Sequence, residues 1–316
     1  MSATRAFRLS VHPSEVGERA DRWLAARLAS EGVTRSAATR LCDEGRVRVG
    51  EVAVRPSAKL RAGDEVRVEV PAPEALDAVA EDIPLVIVFE DEHLLVIDKP
   101  AGMVVHPSKG HAGGTLVNAV LHHAEVESDE GDDPLRPGIV HRIDRLTSGL
   151  LVVAKTVRAH QGLAARFKLH DIHRVYLALA ERDPGTRTFD TLHDRHPAHR
   201  QRFTSRVETG RRAVTHVETL ERLLDGAASL LRCTLETGRT HQIRVHLGEH
   251  GSPILGDPVY GRRARDARVE AVSRALGRQA LHAAELGFVH PVTAETLRFT
   301  SPLPDDFAAA LAALRG

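Results

Sequence analysis

A segment rich in proline and acidic residues divides the 316-residue chain into two unequal parts. It covers residues 72–82, directly after Pro71, and has no sustained apolar period, which is typical of a linker. A chain of this length exceeds one ordinary compact core. We therefore expect a small domain at 14–71 and a larger one at 83–316 that buries a substantial interior.

The part before the linker follows the order helix, helix and then short strands. Apolar residues repeat at helical spacing over 20–28 and again over 37–42, where Thr34 is the expected N-cap and Gly45 the expected stop. Alternating apolar residues predict strands at three places: residues 46–49, 52–54 and 65–70. The pattern indicates a small α+β module.

The larger part contains several short apolar runs that favour buried strands. Helices are predicted near 157–169 and 240–250. The strand candidates are residues 85–89, 94–97, 139–140, 150–153, 175–179, 213–220 and 230–235. We expect a mixed sheet with helices at its periphery.

One carboxylate lies among arginines in the polar segment between residues 139–140 and 150–153. Arg142 and Arg145 flank Asp144, and nearby opposite charges favour the ionised form of a carboxylate. Because the apolar runs pin both ends of the segment, we expect a loop between buried strands. Asp144 is therefore the candidate reactive group, and a solvated turn is the alternative that this pattern leaves open.

A second polar segment begins at Gly238. The glycine predicts a turn, Thr240 is the expected N-cap, and Ile243 and Leu247 form the buried side of a helix. Arg244 then lies in the first helical turn, where the helix N-terminus already favours anions.

The histidines of this segment have a spacing loosely suggestive of metal ligands: His241, His246 and His250. No cysteine or carboxylate completes a set at a usual spacing, and one helix does not easily aim all three at one ion. The chain also lacks a phosphate-binding glycine loop. We expect neither a metal nor a cofactor. A similar group, His193, His196 and His199, is predicted to lie in a loop.

The net charge of the chain does not indicate a polyanionic partner, because 43 basic residues balance 43 acidic ones. Any nucleic-acid binding must come from local patches. Four arginines cluster around the second helix and first strand of the small module, namely Arg35, Arg40, Arg46 and Arg48. They predict a basic face, with an ordinary solvated surface as the alternative.

The two cysteines, Cys42 and Cys233, fall in apolar patterns and are expected to be buried free thiols. The first residues contain no apolar signal region, and no apolar run approaches the roughly 20 residues of a membrane span. We expect a cytoplasmic protein, and a monomer.

Five ordered motifs between residues 85 and 300 resemble the RluA family of pseudouridine synthases. The motifs are Lys99 to Pro107, His141 to Leu150, the strand that contains Tyr176, Gly238 to Arg244, and Leu281 to Pro291. The small module resembles the S4 RNA-binding domain, including Ala20-Asp21-Arg22-Trp23-Leu24. The resemblance implies an α+β fold with a mostly antiparallel catalytic sheet.

The resemblance also implies roles for named residues. Asp144 is expected to act as nucleophile or base, Arg244 to pair with it, and Tyr176 to stack on the target base. Arg142, with His141 in support, is expected to help fill the space that a flipped base leaves. The expected RNA contacts are Arg22, Arg35, Arg40, Arg46 and Arg239.

The expected partner is RNA, and the S4-like module with the Val105-His106-Pro107 segment favours large-subunit ribosomal RNA. A synthase acting on transfer RNA would use the same chemistry. A glycosidase normally needs two carboxylates about 5 to 10 Å apart, and only Asp144 has a convincing context. A non-catalytic RNA-binding protein would need the arginines but not Asp144.

Overall fold

The computed structural model describes residues 5–31, 33–70, 78–108, 111–127, 133–199 and 201–316. The chain forms two compact units, Met1–Ala75 and Leu76–Gly316. The N-terminal unit contains four strands and two helices. They are β1 (Arg5–Ser10), α1 (Ala20–Arg27), α2 (Arg35–Asp43), β2 (Val47–Val49), β3 (Val52–Ala53) and β4 (Glu65–Val70).

An antiparallel sheet in the order β1-β4-β2-β3 supports the two helices of this unit. Trp23 and Leu24 of α1 and Leu41 of α2 are buried against Val47 and Val68 of the sheet. The predicted caps of α2 are confirmed. Thr34 Oγ1 accepts a hydrogen bond from the Ala37 N–H, and Gly45 turns the chain with a φ of 71°.

The predicted start of the first domain at residue 14 omitted a strand. β1 pairs along its whole length with β4, from Arg5 opposite Val70 to Ser10 opposite Glu65. Phe7 and Leu9 pack toward the helices, whereas Ala6, Arg8 and Ser10 on the other face are exposed. Only two apolar residues alternate, which is too short a pattern to predict a strand.

The predicted linker at 72–82 lies partly outside the described residues, which resume at residue 78. From there the chain is bound to the C-terminal unit rather than free. Asn118 Nδ2 donates to the Val79 carbonyl at 2.6 Å, and the Glu81 N–H donates to the Asn118 carbonyl. The last residues of the predicted linker therefore belong to the larger unit.

The C-terminal unit is built on one ten-stranded sheet. Its strands are β5 (Val86–Glu90), β6 (Leu94–Lys99), β7 (Ser148–Ala154), β8 (His173–Glu181), β9 (Arg187–Arg195), β10 (Phe203–Thr204), β11 (Arg211–Leu223), β12 (Ala228–Leu235), β13 (Leu281–Val289) and β14 (Thr296–Thr300). Its helices are α3 (Leu116–His123), α4 (Val157–Leu169), α5 (Gln242–His250), α6 (Ala267–Leu276) and α7 (Asp305–Arg315).

The sheet has the order β10-β9-β11-β12-β8-β13-β7-β6-β5, and β14 also pairs with β13. Among the described strands, β13 and β7 are parallel and all other neighbours are antiparallel. The predicted α+β class with a mixed, mostly antiparallel sheet and peripheral helices is confirmed.

β7 is buried on both faces, which explains its unbroken apolar sequence. Leu151 and Val153 face one core, and Leu150 and Val152 face a second core on the other side of the sheet. α4 covers the second core, while α3, α5 and α7 cover the first.

Two local predictions are wrong. Residues 139–140 do not form a strand, and Ile139 makes only an isolated bridge to Val153. The Ile139 N–H instead bonds the Arg136 carbonyl in a turn. His193 lies in β9 rather than in a loop, where its ring is buried and stacks on Phe203.

No helix in the described ranges is long and apolar enough to cross a membrane.

Candidate active site

The loop that carries Asp144 is held from behind by its neighbours. His141 Nε2 accepts a hydrogen bond from the Val152 N–H of β7, and the His141 ring stacks on Phe167 of α4 with centroids 4.5 Å apart. The buried Ile143 side chain packs into the core beneath the loop. These contacts leave the Asp144 side chain 19% exposed at the wall of a cavity.

Arg244 connects Asp144 to a second, deeper carboxylate. Its Nη1 donates to Asp144 Oδ2 at 2.8 Å, and its Nε and Nη2 donate to the two oxygens of Asp257 at 2.8 and 2.9 Å. The side chains of Asp257 and Arg244 are 0% and 4% exposed. The pairing of Arg244 with Asp144 was expected, whereas the participation of Asp257 was not.

Electrostatics stabilises the charged forms of Arg244 and Asp257. Burial by itself lowers the pKa of Arg244, but its bonds to the two carboxylates outweigh burial and raise that pKa above its ordinary value. Burial likewise opposes ionisation of Asp257, yet Arg244 and the N–H groups of Val259 and Tyr260 lower its pKa. Asp257 therefore anchors a permanent cation that points at Asp144.

The arginines next to Asp144 in the sequence do not hold it, contrary to expectation. Arg142 and Arg145 are both exposed. Arg142 Nη1 lies 3.2 Å from Nε2 of His106, and the cation in contact with Asp144 comes from α5, a hundred residues further along the chain. Adjacent side chains in an irregular loop point in different directions, so sequence proximity did not become spatial pairing.

The start of α5 also differs from the prediction. The N-cap is His241, in a left-handed conformation with φ of 60°, and it makes no side-chain capping bond. The Gln242 side chain stabilises the turn instead, because its Oε1 accepts from the Arg239 N–H and from the Thr237 hydroxyl. Thr240 is exposed and is not the cap.

His241 lies on the other side of Asp144 from Arg244. Its Nε2 is 3.9 Å from Asp144 Oδ1, and its Nδ1 is 3.0 Å from the Tyr260 hydroxyl. That hydroxyl accepts the Phe203 N–H, so its own proton is free to bond Nδ1. In this arrangement the Nε2 proton of neutral His241 faces Asp144. Burial lowers the pKa of His241, which favours the neutral ring.

Lys99 joins the Lys99 to Pro107 motif to the Asp144 loop. Its fully buried Nζ donates to the carbonyls of Pro100, Met103 and Arg145 at 2.7 to 3.2 Å. Burial lowers the pKa of this amine to about 7. The lysine therefore fixes two loops against each other and does not project into solvent.

Tyr176 stands on β8 and lines the same cavity as Asp144. Only 8% of the residue is exposed, and burial raises the pKa of its hydroxyl to about 12. The hydroxyl is thus protonated at neutral pH. This position is compatible with a ring that faces a bound base.

The cavity has a volume of about 240 Å³. It brings together six of the predicted residues, which are His141, Arg142, Asp144, Tyr176, Arg239 and Arg244. Other lining residues were not anticipated, including Phe167, His170, Arg174 and His241. Gln279, behind the loop, donates to the Thr147 hydroxyl at 2.8 Å and lies 3.5 Å from Asp144 Oδ2.

The arginines predicted for RNA contact in the N-terminal unit are interleaved with acidic residues. Arg35 pairs with Asp21, and both Arg40 and Arg46 pair with Glu44. Arg22 is exposed. The surface is therefore of mixed charge rather than uniformly basic.

The histidines of α5 already have polar neighbours. His246 Nδ1 and Nε2 each lie 2.9 Å from a threonine hydroxyl, those of Thr215 and Thr191. Within the described ranges, no three histidine, cysteine or acidic side chains converge as metal ligands.

Comparison with known proteins agrees with this geometry. The sequence pattern of the RNA pseudouridylate synthase family matches residues 93–249, and that of the S4 domain matches residues 18–66. A protein of Zymomonas mobilis subsp. mobilis named ribosomal large subunit pseudouridine synthase D is 48% identical over 253 residues, which is 79% of each chain. The chain belongs to the RNA pseudouridylate synthase family.

Two further pseudouridylate synthases extend the comparison. The uncharacterized RNA pseudouridine synthase YlyB of Bacillus subtilis is 42% identical over 97% of both chains. The solved structure of human RNA pseudouridylate synthase domain containing 1 has a TM-score of 0.54 and 25% identity, covering 71% of this chain and 86% of that one. The likeness therefore extends to the fold of the pseudouridylate synthase unit.

Proposed function

We propose that this chain isomerises uridine to pseudouridine in RNA, and that Asp144 is its catalytic carboxylate. The observation that carries the proposal is the position of Asp144 at the cavity wall, in contact with an arginine that a buried second carboxylate fixes in place. Asp257 is 0% exposed and lies behind Arg244. Asp144 is thus the carboxylate that lines the cavity among the described residues.

The reaction breaks the N1–C1′ bond of uridine and joins C1′ to C5 of the same ring. C5 loses its proton and N1 gains one, so the reaction consumes no redox equivalent. Asp144 either attacks C1′ or removes the C2′ proton to give a glycal. In both routes the detached uracil rotates within the cavity before C5 meets C1′.

The neighbours of Asp144 serve each route. Arg244 orients the carboxylate and places a positive charge beside it, since the guanidinium remains protonated throughout the physiological range. Tyr176 faces the base as a neutral ring, because its hydroxyl holds its proton at neutral pH. Lys99 and His141 keep the loop in position and do not take part in proton transfer.

The target uridine must leave its stack to reach Asp144, at a cost on the order of a few kcal/mol. Arg142 is exposed at the mouth of the cavity, from where it can fill the space that the base vacates. The N-terminal unit, which matches the S4 domain, supplies contacts to RNA elsewhere. We assign Arg22, Arg35, Arg40 and Arg46 to these contacts, and Arg239 to an RNA contact at the cavity.

The substrate that we propose is large-subunit ribosomal RNA. The name of the Zymomonas relative, at 48% identity, supports this choice. Transfer RNA is the alternative substrate for the same chemistry.

Release of tritium from C5 tests the function directly. Purified protein is incubated with large-subunit ribosomal RNA or transfer RNA transcribed with [5-³H]uridine, and tritiated water is measured. We expect release from the ribosomal RNA with wild type and with Asp171→Asn, an exposed carboxylate paired with Arg166, and none with Asp144→Asn.

Each other result has a defined meaning. Release from transfer RNA alone keeps the reaction and replaces the substrate. Equal release by wild type and Asp144→Asn removes Asp144 from its catalytic role. Tight binding without release from any RNA points to the non-catalytic alternative.

A further inference from the structure

The cavity contains more positive than negative charge. Four of its lining residues are arginines, namely Arg142, Arg174, Arg239 and Arg244. Arg244 is neutralised by Asp144 and Asp257. In the described part of the chain, no carboxylate lies within ion-pairing distance of the other three. The site is therefore prepared for an anion that the protein itself does not supply.

Arg174 is the least hydrated of these three cations. Only 6% of the residue is exposed, whereas Arg142 is exposed and Arg239 is half-buried. A buried charge without a partner is costly, and water compensates an exposed arginine but not this one. Burial lowers the pKa of Arg174, and the nearby Arg239 lowers it further.

The hydrogen bonding of Arg174 is incomplete. Nη2 donates to the Glu236 carbonyl at 2.9 Å, and the guanidinium lies over the Phe167 ring at 5.5 Å. Its Nε is buried and has no hydrogen-bond partner among the described residues. Buried donors in native structures are normally satisfied, so an orphaned one at a cavity indicates a missing ligand atom.

A glycine makes room for this side chain. A Cβ at Gly238 would lie 2.6 Å from Nη1 of Arg174, closer than side chains tolerate. Gly238 also lines the cavity. Gly238 therefore leaves the guanidinium its present position, from which a larger residue would displace it.

We infer that Arg174 is the binding site for a backbone phosphate of the flipped nucleotide. This inference rests on the proposed function and adds a subsite to it. Arg174 and Tyr176 are two residues apart on β8, so they project from the same face about 7 Å apart along the strand. In a nucleotide the ribose separates base from phosphate by a comparable distance, so a base at Tyr176 brings a phosphate to Arg174.

Guanidinium groups suit this role because they donate two parallel hydrogen bonds to phosphate oxygens. Nε and Nη2 present the parallel pair of donors, and Nη2 carries a second proton for the Glu236 carbonyl. Arg239 lies close enough to perturb Arg174 electrostatically and contributes a second positive charge. The bound phosphate would neutralise the buried cation.

The test is a double-mutant cycle that combines substitution of Arg174 with neutralisation of a single RNA phosphate. The probe is a short stem-loop RNA around a uridine that the wild-type protein modifies. It is made with a neutral methylphosphonate linkage either 5′ or 3′ of that uridine. Binding is measured by fluorescence anisotropy in the Asp144→Asn background, with and without Arg174→Met, so that no RNA is converted.

We expect one of the two neutral linkages to weaken binding by about tenfold or more when Arg174 is present. The same linkage should have almost no effect with Arg174→Met, and Arg174→Lys should restore part of the effect. Arg174→Met should also reduce the salt dependence of binding by roughly 0.7 logarithmic units, the value for one phosphate of a single strand. Arg158→Met, an exposed arginine on α4, should leave the linkage effect as in the parent protein.

Several results would overturn the inference. If neither neutral linkage weakens binding by the parent protein, Arg174 does not hold a phosphate next to the target, whether or not its variants fold. If the linkage effect persists with Arg174→Met, while the same substitution in a protein that retains Asp144 lowers kcat, the arginine only positions the Glu236 turn. If replacing the target uracil by an abasic site removes the Arg174→Met effect, the arginine binds the base.

Failure of the proposed function gives a different result. If the wild-type protein releases no tritium from any RNA, no target uridine exists around which to build the probe. In that case the proposed function and this inference are both refuted. A protein that modifies RNA but shows no coupling to either phosphate refutes the inference alone.

Discussion

Asp257→Asn removes the buried charge that anchors Arg244 and changes the side-chain shape very little. Asp257 accepts four hydrogen bonds, two from Arg244 and one each from the Val259 and Tyr260 N–H groups. An asparagine oxygen in the place of Oδ1 retains three of them. Its amide would then face the Arg244 Nε, donor against donor.

The expected loss of unfolding free energy is about 3 kcal/mol. Breaking a buried ion pair costs about 3 to 5 kcal/mol, and the lower end applies because Arg244 keeps Asp144 as a partner. Asp171→Asn is the matched control, since it breaks an ion pair with Arg166 whose acidic side chain is 63% exposed. That change should cost less than about 1 kcal/mol.

Urea denaturation followed by far-UV circular dichroism measures the difference between the two variants. Trp23, the one tryptophan of the chain, is buried in the N-terminal unit, so its fluorescence reports that unit in the same sample. The pKa of Asp257 is lowered in the folded state, so its contribution is present above the unfolded carboxyl pKa of about 3.9 and is lost as pH falls through the folded value. A loss for Asp257→Asn no larger than that for Asp171→Asn at pH 7 would refute the reasoning.

Two further predictions concern stability. His141 must stay neutral to accept the Val152 N–H, and burial lowers its pKa from 6.5 to about 3. As the pH falls, His141 is therefore protonated in the unfolded chain before it is protonated in the folded protein. Acidification from pH 7 to 5 should then lower the free energy of unfolding by at most about 2 kcal/mol, and His141→Phe should abolish this loss. An unchanged pH dependence of stability in the variant would contradict the assignment. Gly149→Ala should cost about 3 kcal/mol or more, because φ is 110° and the new Cβ would lie 2.3 Å from the Ala283 carbonyl oxygen. Gly114→Ala, at φ of 68° in open space, should cost about 1 kcal/mol, and equal costs in thermal denaturation would contradict the packing argument.

The sequence predicted the strands of the sheet well where burial determines the pattern. The run at Leu150 to Val153 is apolar throughout because β7 is covered on both faces. β1 was missed because only Phe7 and Leu9 alternate within it. His193 was misplaced because its neighbours in the sequence are polar, although its own face of β9 is covered by Phe203. The polarity of neighbouring residues in the sequence indicates whether a segment is exposed on average. Only the tertiary packing determines which of its polar side chains is buried.

The site was predictable only in part, for a related reason. The contact between Asp144 and Arg244 joins residues a hundred positions apart, and it was anticipated from the family motifs rather than from any local pattern. Asp257 gave no such signal, since an aspartate between glycine and proline is typical of a turn. Arg174 was not singled out from the sequence, because its burial follows from packing that the sequence does not reveal.

Mapping of pseudouridine in ribosomal RNA tests the central claim most directly. Unmodified large-subunit RNA is incubated with wild type or Asp144→Asn, treated with carbodiimide, and read by primer extension. We expect stops at defined uridines with the wild type and none with Asp144→Asn, although the variant still binds the RNA. The same stops with both proteins would contradict the claim that Asp144 carries the reaction.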